Sequence, residues 1–295
     1  NNRFCSYKGE GTGAVRPIFS NHILKPERTP VENSVWGFEK SSGCFSSLYR
    51  SRYLKAKEYL DAPFEIAVDS ADKPICSVPI KPAIVKSFEE TEATRHPWAL
   101  ILNGDSGKLP IPDESVDAVI TDPPYFDFVN YSELSDFFYA WLRSLDASSP
   151  LFSQKNSRRP GEVQRSDFRD FSVMLSKVFS ECHRVMKPTA PLIFSFHHSR
   201  PEGWEAVANA IENSDLKVTE VYPVYAELSA STPKAAAKKP ITIDMLIECR
   251  KKNWTGESSS FLTEEDCIKE LLDNGMKLSA NDLFVIHSGF ELLKV

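Results

Sequence analysis

Four consecutive residues, Asp122-Pro123-Pro124-Tyr125, combine the groups needed to hold and activate a planar amino group. The two prolines fix their own φ angles and remove two backbone N–H groups, so the carbonyls of Asp122 and Pro123 can face a ligand. A carboxylate and a fixed carbonyl can together accept both hydrogens of a nucleobase's exocyclic amino group. That localises its lone pair and orients it for in-line attack on a methyl donor. Tyr125 adds a flat ring on which an extruded base can stack, and extrusion is required because the attacked atom lies inside the duplex. Phe126 extends this aromatic surface as a further candidate nucleic-acid contact. The plainer reading of the same residues is a tight turn begun by Asp-Pro. Their placement favours the first reading, because they close an apolar strand and precede an aromatic helix.

A second acceptor lies upstream in Asn103-Gly104-Asp105-Ser106, which closes another short apolar run. The Asp105 carboxylate could take the adenine amino group of S-adenosylmethionine, with Asn103 and Ser106 beside it as further cofactor contacts. It reads equally as a turn or helix N-cap aspartate.

The elements that must position these groups follow an alternating pattern. Short apolar strands are expected at Trp98–Leu102, Val116–Thr121, Leu192–Phe196, Lys217–Tyr225 and Ile241–Cys249. Helices are expected over 130–145, 168–186 and Gly203–Ser214, the second apolar at Phe168, Phe171, Leu175, Phe179, Cys182 and Val185 and stopped by Lys187-Pro188. Alternation of this kind predicts an α/β fold, a mainly parallel sheet with helices on both faces, whose ligands sit outside the carboxyl ends of the strands. Residues 1–97 read as an irregular segment with one helix near 45–60 that presents Leu48, Tyr49, Tyr53, Ala56 and Leu60. Residues 98–253 read as the catalytic core, and 254–295 as a helical extension with a short strand. The acidic run Glu89-Glu90-Thr91-Glu92 reads as a solvated linker.

Composition bounds the partners. In 295 residues, 41 acidic against 35 basic side chains give a formal net charge of −6, which excludes a globally basic nucleic-acid coat. DNA contact then falls to two local basic loops, one with Arg158, Arg159 and Arg165 and the other with Lys234, Lys238 and Lys239. Such contacts would reach phosphates and position a duplex without reading its sequence; the plain alternative is a solvated charged loop. No run approaches a membrane span. The six cysteines contain no C-x-x-C pair, so no metal site is expected and buried thiols in a cytoplasmic protein are the simpler reading. His197-His198 end a strand with side chains on opposite faces. Trp141, Phe137 and Phe138 read as core.

At these residues a family resemblance emerges. The stretch LNGDSGKLPIPDESVDAVITDPPYFDFVNYSELSDFFYAWLRSL resembles the amino-methylating DNA methyltransferases with a D-P-P-Y motif, and more narrowly the adenine-specific DNA methylases containing a zinc ribbon. The resemblance continues through FSECHRVMKPTAPLIFSFHH, the Trp204 helix and IDMLIECRK, and covers the N-terminal segment. It implies a class I, Rossmann-like sheet of which the third to seventh strands are visible here. It also implies S-adenosyl-L-methionine as cofactor, a flipped adenine in DNA as substrate, and a role such as restriction-modification. Asp122, Pro123, Pro124 and Tyr125 would be catalytic.

Departures from that pattern matter as much. The family's glycine-rich cofactor loop and its zinc-ribbon cysteine pairs are not found. Gly9-Glu10-Gly11-Thr12-Gly13 has glycines at loop spacing but no buried strand before it, and reads as a turn. Only 12 residues are glycine, and the chain opens Asn1-Asn2-Arg3-Phe4 without Met. It therefore reads as the catalytic part of a larger enzyme, with an upstream cofactor-binding segment or subunit as partner. N2-guanine methylation of RNA, or a nucleic-acid-binding fragment without activity of its own, are the alternatives.

Overall fold

Strand and helix alternation needs a sheet to organise it, and the computed structural model divides the chain into two compact units, Asn1–Asn103 and Gly104–Val295. It describes residues 3–6, 14–17, 36, 45–65, 83–93, 97–127, 129–226, 241–256 and 263–295. The division falls after Asn103, beyond the boundary expected at 97.

In the first unit, β1 (Arg3–Ser6) and β2 (Ala14–Pro17) pair antiparallel. The glycine-rich segment 9–13 lies outside the described residues. The expected helix forms as α1 (Phe45–Leu48), a π-helical turn over Tyr49–Leu54, and α2 (Lys55–Asp61). Its aromatic stripe is exposed, with Tyr49 stacked on Tyr53 at 5.2 Å. β3 (Ala83–Val85) pairs parallel with β4 (Trp98–Leu100). The acidic run between them is not a linker but the short helix α3 (Glu89–Ala93), entered as the Lys86 backbone N–H donates to Glu90 at 2.9 Å. Among the described residues β4 pairs only with β3, and a three-residue apolar strand carries no information about its partner.

The second unit is an α/β structure built on a four-stranded sheet. Its strands are β5 (Val119–Thr121), β6 (Leu192–Phe196), β7 (Leu216–Tyr225) and β8 (Ile243–Lys251), in spatial order β5-β6-β8-β7. β5 and β6 are parallel, and β8 runs antiparallel to both β6 and β7. Three strands therefore share one direction, with the fourth reversed between the last two. The carboxyl ends of β5, β6 and β7 and the amino end of β8 meet at one edge.

Side-chain alternation separates the two faces of this sheet. Leu192, Phe194 and Phe196 of β6 are buried beside Ile243, Met245, Ile247 and Cys249 of β8. Over this face lie α5 (Phe168–Val185), α6 (Pro201–Glu212) and α8 (Ala280–Glu291), with α7 (Glu264–Asp273) packed against α8. Phe179 meets Phe194 at 5.1 Å and Trp204 meets Phe196 at 5.2 Å. Each fully buried Phe here contributes roughly 2–3 kcal/mol of transfer free energy. A Cβ at Gly289 would come within 2.6 Å of Met245, so α8 approaches β8 as only glycine allows.

Helices were expected on both faces, but α5, α6 and α8 share one. On the other, Ile120 of β5 is 78% exposed. Its register partner is Ile193, and Ser195 follows on the same side.

Helix ends are set by side chains. Asp167 caps α5, accepting from the N–H groups of Arg169 and Asp170. Thr263 with Asp266, and Ser279 with Asp282, form capping boxes at α7 and α8. Asp282 also accepts from the Thr242 N–H at 2.6 Å, joining α8 to the start of β8. Two helices therefore lie within 263–295, and among the described residues of 254–295 there is no strand. Cys182, Cys249 and Cys267 are buried free thiols, and burial pushes Cys182 up to about 11, out of the reactive range. Among the described residues no helix is long and apolar enough to cross a membrane.

Candidate active site

The register places Thr121 opposite Phe194, so the next residue of each strand, Asp122 and Ser195, emerges on the open face. The Ser195 hydroxyl donates to Asp122 Oδ1 at 2.6 Å. Tyr125 Oη lies 3.0 Å from Ser195 Oγ. A serine has one hydroxyl proton, already given to Asp122, so Tyr125 is the donor and the bonds run Tyr125 to Ser195 to Asp122. Burial pushes the Tyr125 phenol well above its usual range, and the nearby carboxylates of Asp244 and Asp122 add to this against the Ser195 hydrogen bond. The phenol therefore stays neutral and able to donate. Pro123 is buried and Asp122 exposed, so the prolines brace the turn while the carboxylate faces outward.

The two residues after Tyr125 secure the turn to the core. Phe126 was expected at the nucleic-acid surface; it is instead 3% exposed, packed against Phe171 at 5.4 Å and His198 at 5.5 Å. Its φ of +54° is an unfavourable conformation for a bulky residue, and burial of its ring holds it there. Asp127 accepts from His198 Nε2 at 3.3 Å and pairs with Arg200. Burial favours the uncharged carboxyl of Asp127, but the bonds from Arg200 and His198 outweigh it and hold it below the usual range. His198 is fully buried, and a Cβ at Gly203 would lie 2.5 Å from its ring. Burial lowers its pKa, against the hydrogen bonds to the Arg200 carbonyl and Asp127. The adjacent histidines thus divide as alternation requires, His198 to the core and His197 to the open face. There His197 Nδ1 is hydrogen-bonded to Asp244, and its ring meets Tyr125 edge-on at 4.6 Å.

α4 (Tyr131–Leu145) begins beside the same carboxylate. Tyr131 hydrogen-bonds the Tyr125 backbone, and burial, then the charge of Asp122, raise its phenol pKa. Trp141 and Phe138 were expected in the core, yet α4 has no buried residue and Trp141 is 64% exposed. Periodicity finds an apolar face but not what covers it.

Asp105 stands in a separate turn of the second unit, exposed, its Oδ1 accepting from the Gly107 N–H at 2.8 Å. A Cβ at Gly107 or Gly161 would come within 3.3 or 3.2 Å of the carboxylate oxygens, so two glycines form a close cradle around it. Ser106 is exposed in the same turn, and Asn103 is exposed at the end of the first unit.

The first basic loop is pinned to α4. Ser157 bonds Asp136 and the Ser132 carbonyl, and the Tyr139 hydroxyl donates to the Gln154 carbonyl at 2.8 Å. Arg158 pairs with Glu133 at 2.7 Å, while Arg159 and Arg165 donate to carbonyls of the loop itself. These arginines order the loop. Arg158 keeps more than half of its side chain exposed. Lys234, Lys238 and Lys239 lie outside the described residues; β7, which precedes them, ends at the same edge as β5.

Sequence reasoning missed Ser195, Asp244, Tyr131 and Gly161. Ser195 was the findable one, the single hydroxyl in an otherwise apolar strand. Asp244 becomes a partner only through the reversed strand, and Gly161 only through the path of a loop.

No protein-family model and no curated protein matches the chain. Among solved structures it is similar to an S-adenosylmethionine-dependent methyltransferase from Methanosarcina mazei (12% identity, 57% of this chain and 80% of that one, TM-score 0.27). A candidate DNA modification methylase from Thermus thermophilus aligns at 14% identity over 70% of this chain and 63% of its own, with a TM-score of 0.26. A candidate methyltransferase from Thermoplasma acidophilum gives 14% identity, 60% and 85% coverage, and a TM-score of 0.19. At such scores the overlap carries no weight for chemistry.

Proposed function

We propose that this chain carries the amino-group-accepting site of an S-adenosylmethionine-dependent methyltransferase of class I, Rossmann-like fold, acting on the N6 amino group of adenine flipped out of DNA. The observation that carries the reading is the hydrogen-bonded series Tyr125–Ser195–Asp122 at the carboxyl ends of two parallel strands. Ligands bind at that edge of an α/β sheet. Asp122 there is a fixed, outward-facing carboxylate. With the Pro123 carbonyl it accepts the two amino hydrogens and directs the nitrogen lone pair outward. Tyr125, its plane set by Phe196 and His197, offers the ring on which the base stacks.

The residues present fit the cofactor at one point. The Asp105 carboxylate, in its cradle of Gly107 and Gly161, suits an adenine amino group, with Ser106 as a neighbouring contact. S-adenosyl-L-methionine supplies an electrophilic methyl group on a sulfonium. An additional cofactor-binding segment or subunit is supported by β5, which among the described residues has hydrogen-bonded strand neighbours on one side only and exposes Ile120. Arg158, Arg159 and Arg165 would bring positive charge to a DNA backbone from beside α4, and Lys234, Lys238 and Lys239 from the loop after β7.

Asp122→Ala tests the reading. Tritiated-methyl transfer to duplex DNA should fall at least a thousandfold, with thermal unfolding within about 0.5 kcal/mol of wild type because the carboxylate is exposed. Retained transfer would sink the assignment. Structured RNA methylated in preference to DNA would move the substrate to N2 of guanine.

A further inference from the structure

Two polar residues, Ser195 on the open face of β6 and His197 just past its end, both touch the proposed site. We infer that they are positioning residues: Ser195 fixes the Asp122 carboxylate, and His197, clamped by Asp244, fixes the Tyr125 ring. The inference rests on the proposed reading of Asp122 and Tyr125 as acceptor and stacking surface.

A carboxylate at the end of a strand rotates about two side-chain torsions, and an acceptor is useful only when one rotation is favoured. The Ser195 hydroxyl, 2.6 Å from Asp122 Oδ1, selects one. The serine is itself held, because its oxygen accepts from Tyr125 at 3.0 Å and its backbone lies in the sheet between β5 and β8. The tyrosine ring has the same problem. Its hydroxyl end is tied to Ser195, and its flanks meet the edges of Phe196 and His197 at 71° and 72°. Phe196 is fully buried and cannot yield. His197 is tied at Nδ1 to Asp244, which reaches it from the neighbouring antiparallel strand, where Met245 pairs with Phe196. Two adjacent strands thus contribute one residue each to a clamp on a ring contributed by a third. Ser195 and His197 sit two apart, the spacing that puts both on one face.

The test uses the full chain. Ser195→Ala, Ser195→Thr, His197→Ala and Asp244→Asn are compared for methyl transfer to mixed-sequence duplex DNA, with kcat and KM determined separately. In parallel, spectra of the protein labelled with 13C-tyrosine are recorded, the Tyr125 signal being the one lost in Tyr125→Phe. Ser195→Ala should lower kcat about ten- to a hundredfold, the scale of one hydrogen bond to a charged group, with KM for DNA within about twofold. Ser195→Thr, which keeps the hydroxyl, should recover most of it. His197→Ala and Asp244→Asn should lower kcat together and shift the Tyr125 signal, while thermal unfolding changes little. A Tyr125 signal unmoved in all the variants overturns the clamp whether or not the protein transfers methyl. Full kcat in Ser195→Ala and His197→Ala overturns the positioning role. A wild-type protein that methylates no nucleic acid even together with its additional cofactor-binding segment or subunit, with Tyr125 still shifting in the variants, removes the proposed function and leaves the clamp standing.

Discussion

The two faces of β6 were built by the same five residues and one alternation, yet they do opposite things. Leu192, Phe194 and Phe196 disappear beneath α5 and α6, while Ile193 and Ser195 face outward, and Ser195 belongs to the series that holds Asp122. His197 and His198 extend the contrast past the end of the strand, one partly buried beside Tyr125 and the other wholly buried. The turn after β5 spans both faces. Asp122 and Tyr125 serve the open one, and Phe126 and Asp127 are anchored in the packed one. The site is therefore exposed in its chemistry and buried in its support. Precision at Asp122 depends on residues with no path to a substrate.

That dependence can be broken from the packed side. Phe126→Ala removes a ring buried against Phe171 and His198, and large aromatic deletions of this kind cost about 3–5 kcal/mol. Alanine at φ +54° gains little in exchange. Urea unfolding should show a loss of that size, and methyl transfer should fall with it even where the variant remains folded. A stability loss below about 1 kcal/mol would mean that the ring is not the anchor.

The sign of a pH effect separates the faces further. His198 has its pKa lowered by burial, so its neutral form belongs to the folded state and its proton to the unfolded one. The stability this contributes is complete above the unfolded value of about 6.5 and is lost as pH falls below it toward the folded value. Urea midpoints should therefore decline between about pH 7.5 and 5.5. His198→Gln should lower the midpoint overall and flatten that decline, leaving the slope expected from His183, whose pKa burial lowers in the same direction. Asp127, held low by Arg200 and His198, acts at lower pH, its contribution lost as its folded pKa is passed. An unchanged slope in His198→Gln would show that the buried histidine is not the titrating group.

How much of this was legible depends on how local the cause is. β6 was placed residue for residue and α5 to within one, because apolar spacing and capping are written in the segments themselves. Asp122 and Tyr125 were legible for the same reason, since Pro-Pro after an apolar strand constrains a turn wherever it lies. Phe126 was misplaced because an aromatic beside a motif looks the same in sequence whether it turns out or in. Its direction is set by Phe171 and His198, both far along the chain. The second face of the sheet was misjudged similarly: alternation says that both faces need partners, not which helices supply them.

The Asp105 turn has less support than the Asp122 turn and hence the smallest stability effect expected of these substitutions. Where Asp122 draws on two other strands, Asp105 has the N–H of Gly107 two residues on and the close approach of Gly161. Asp105→Asn keeps the shape and the acceptor oxygen toward Gly107, so unfolding should move by less than about 0.5 kcal/mol. If the carboxylate serves the adenine of the methyl donor, the substitution acts on binding instead. An amide is a poorer acceptor than a charged carboxylate by about 1–2 kcal/mol, so titration calorimetry should read roughly tenfold weaker cofactor affinity. Unchanged affinity would reduce Asp105 to an aspartate that makes a turn. A stability loss comparable to that of Phe126→Ala would instead show that this turn, too, is tied into the packed face.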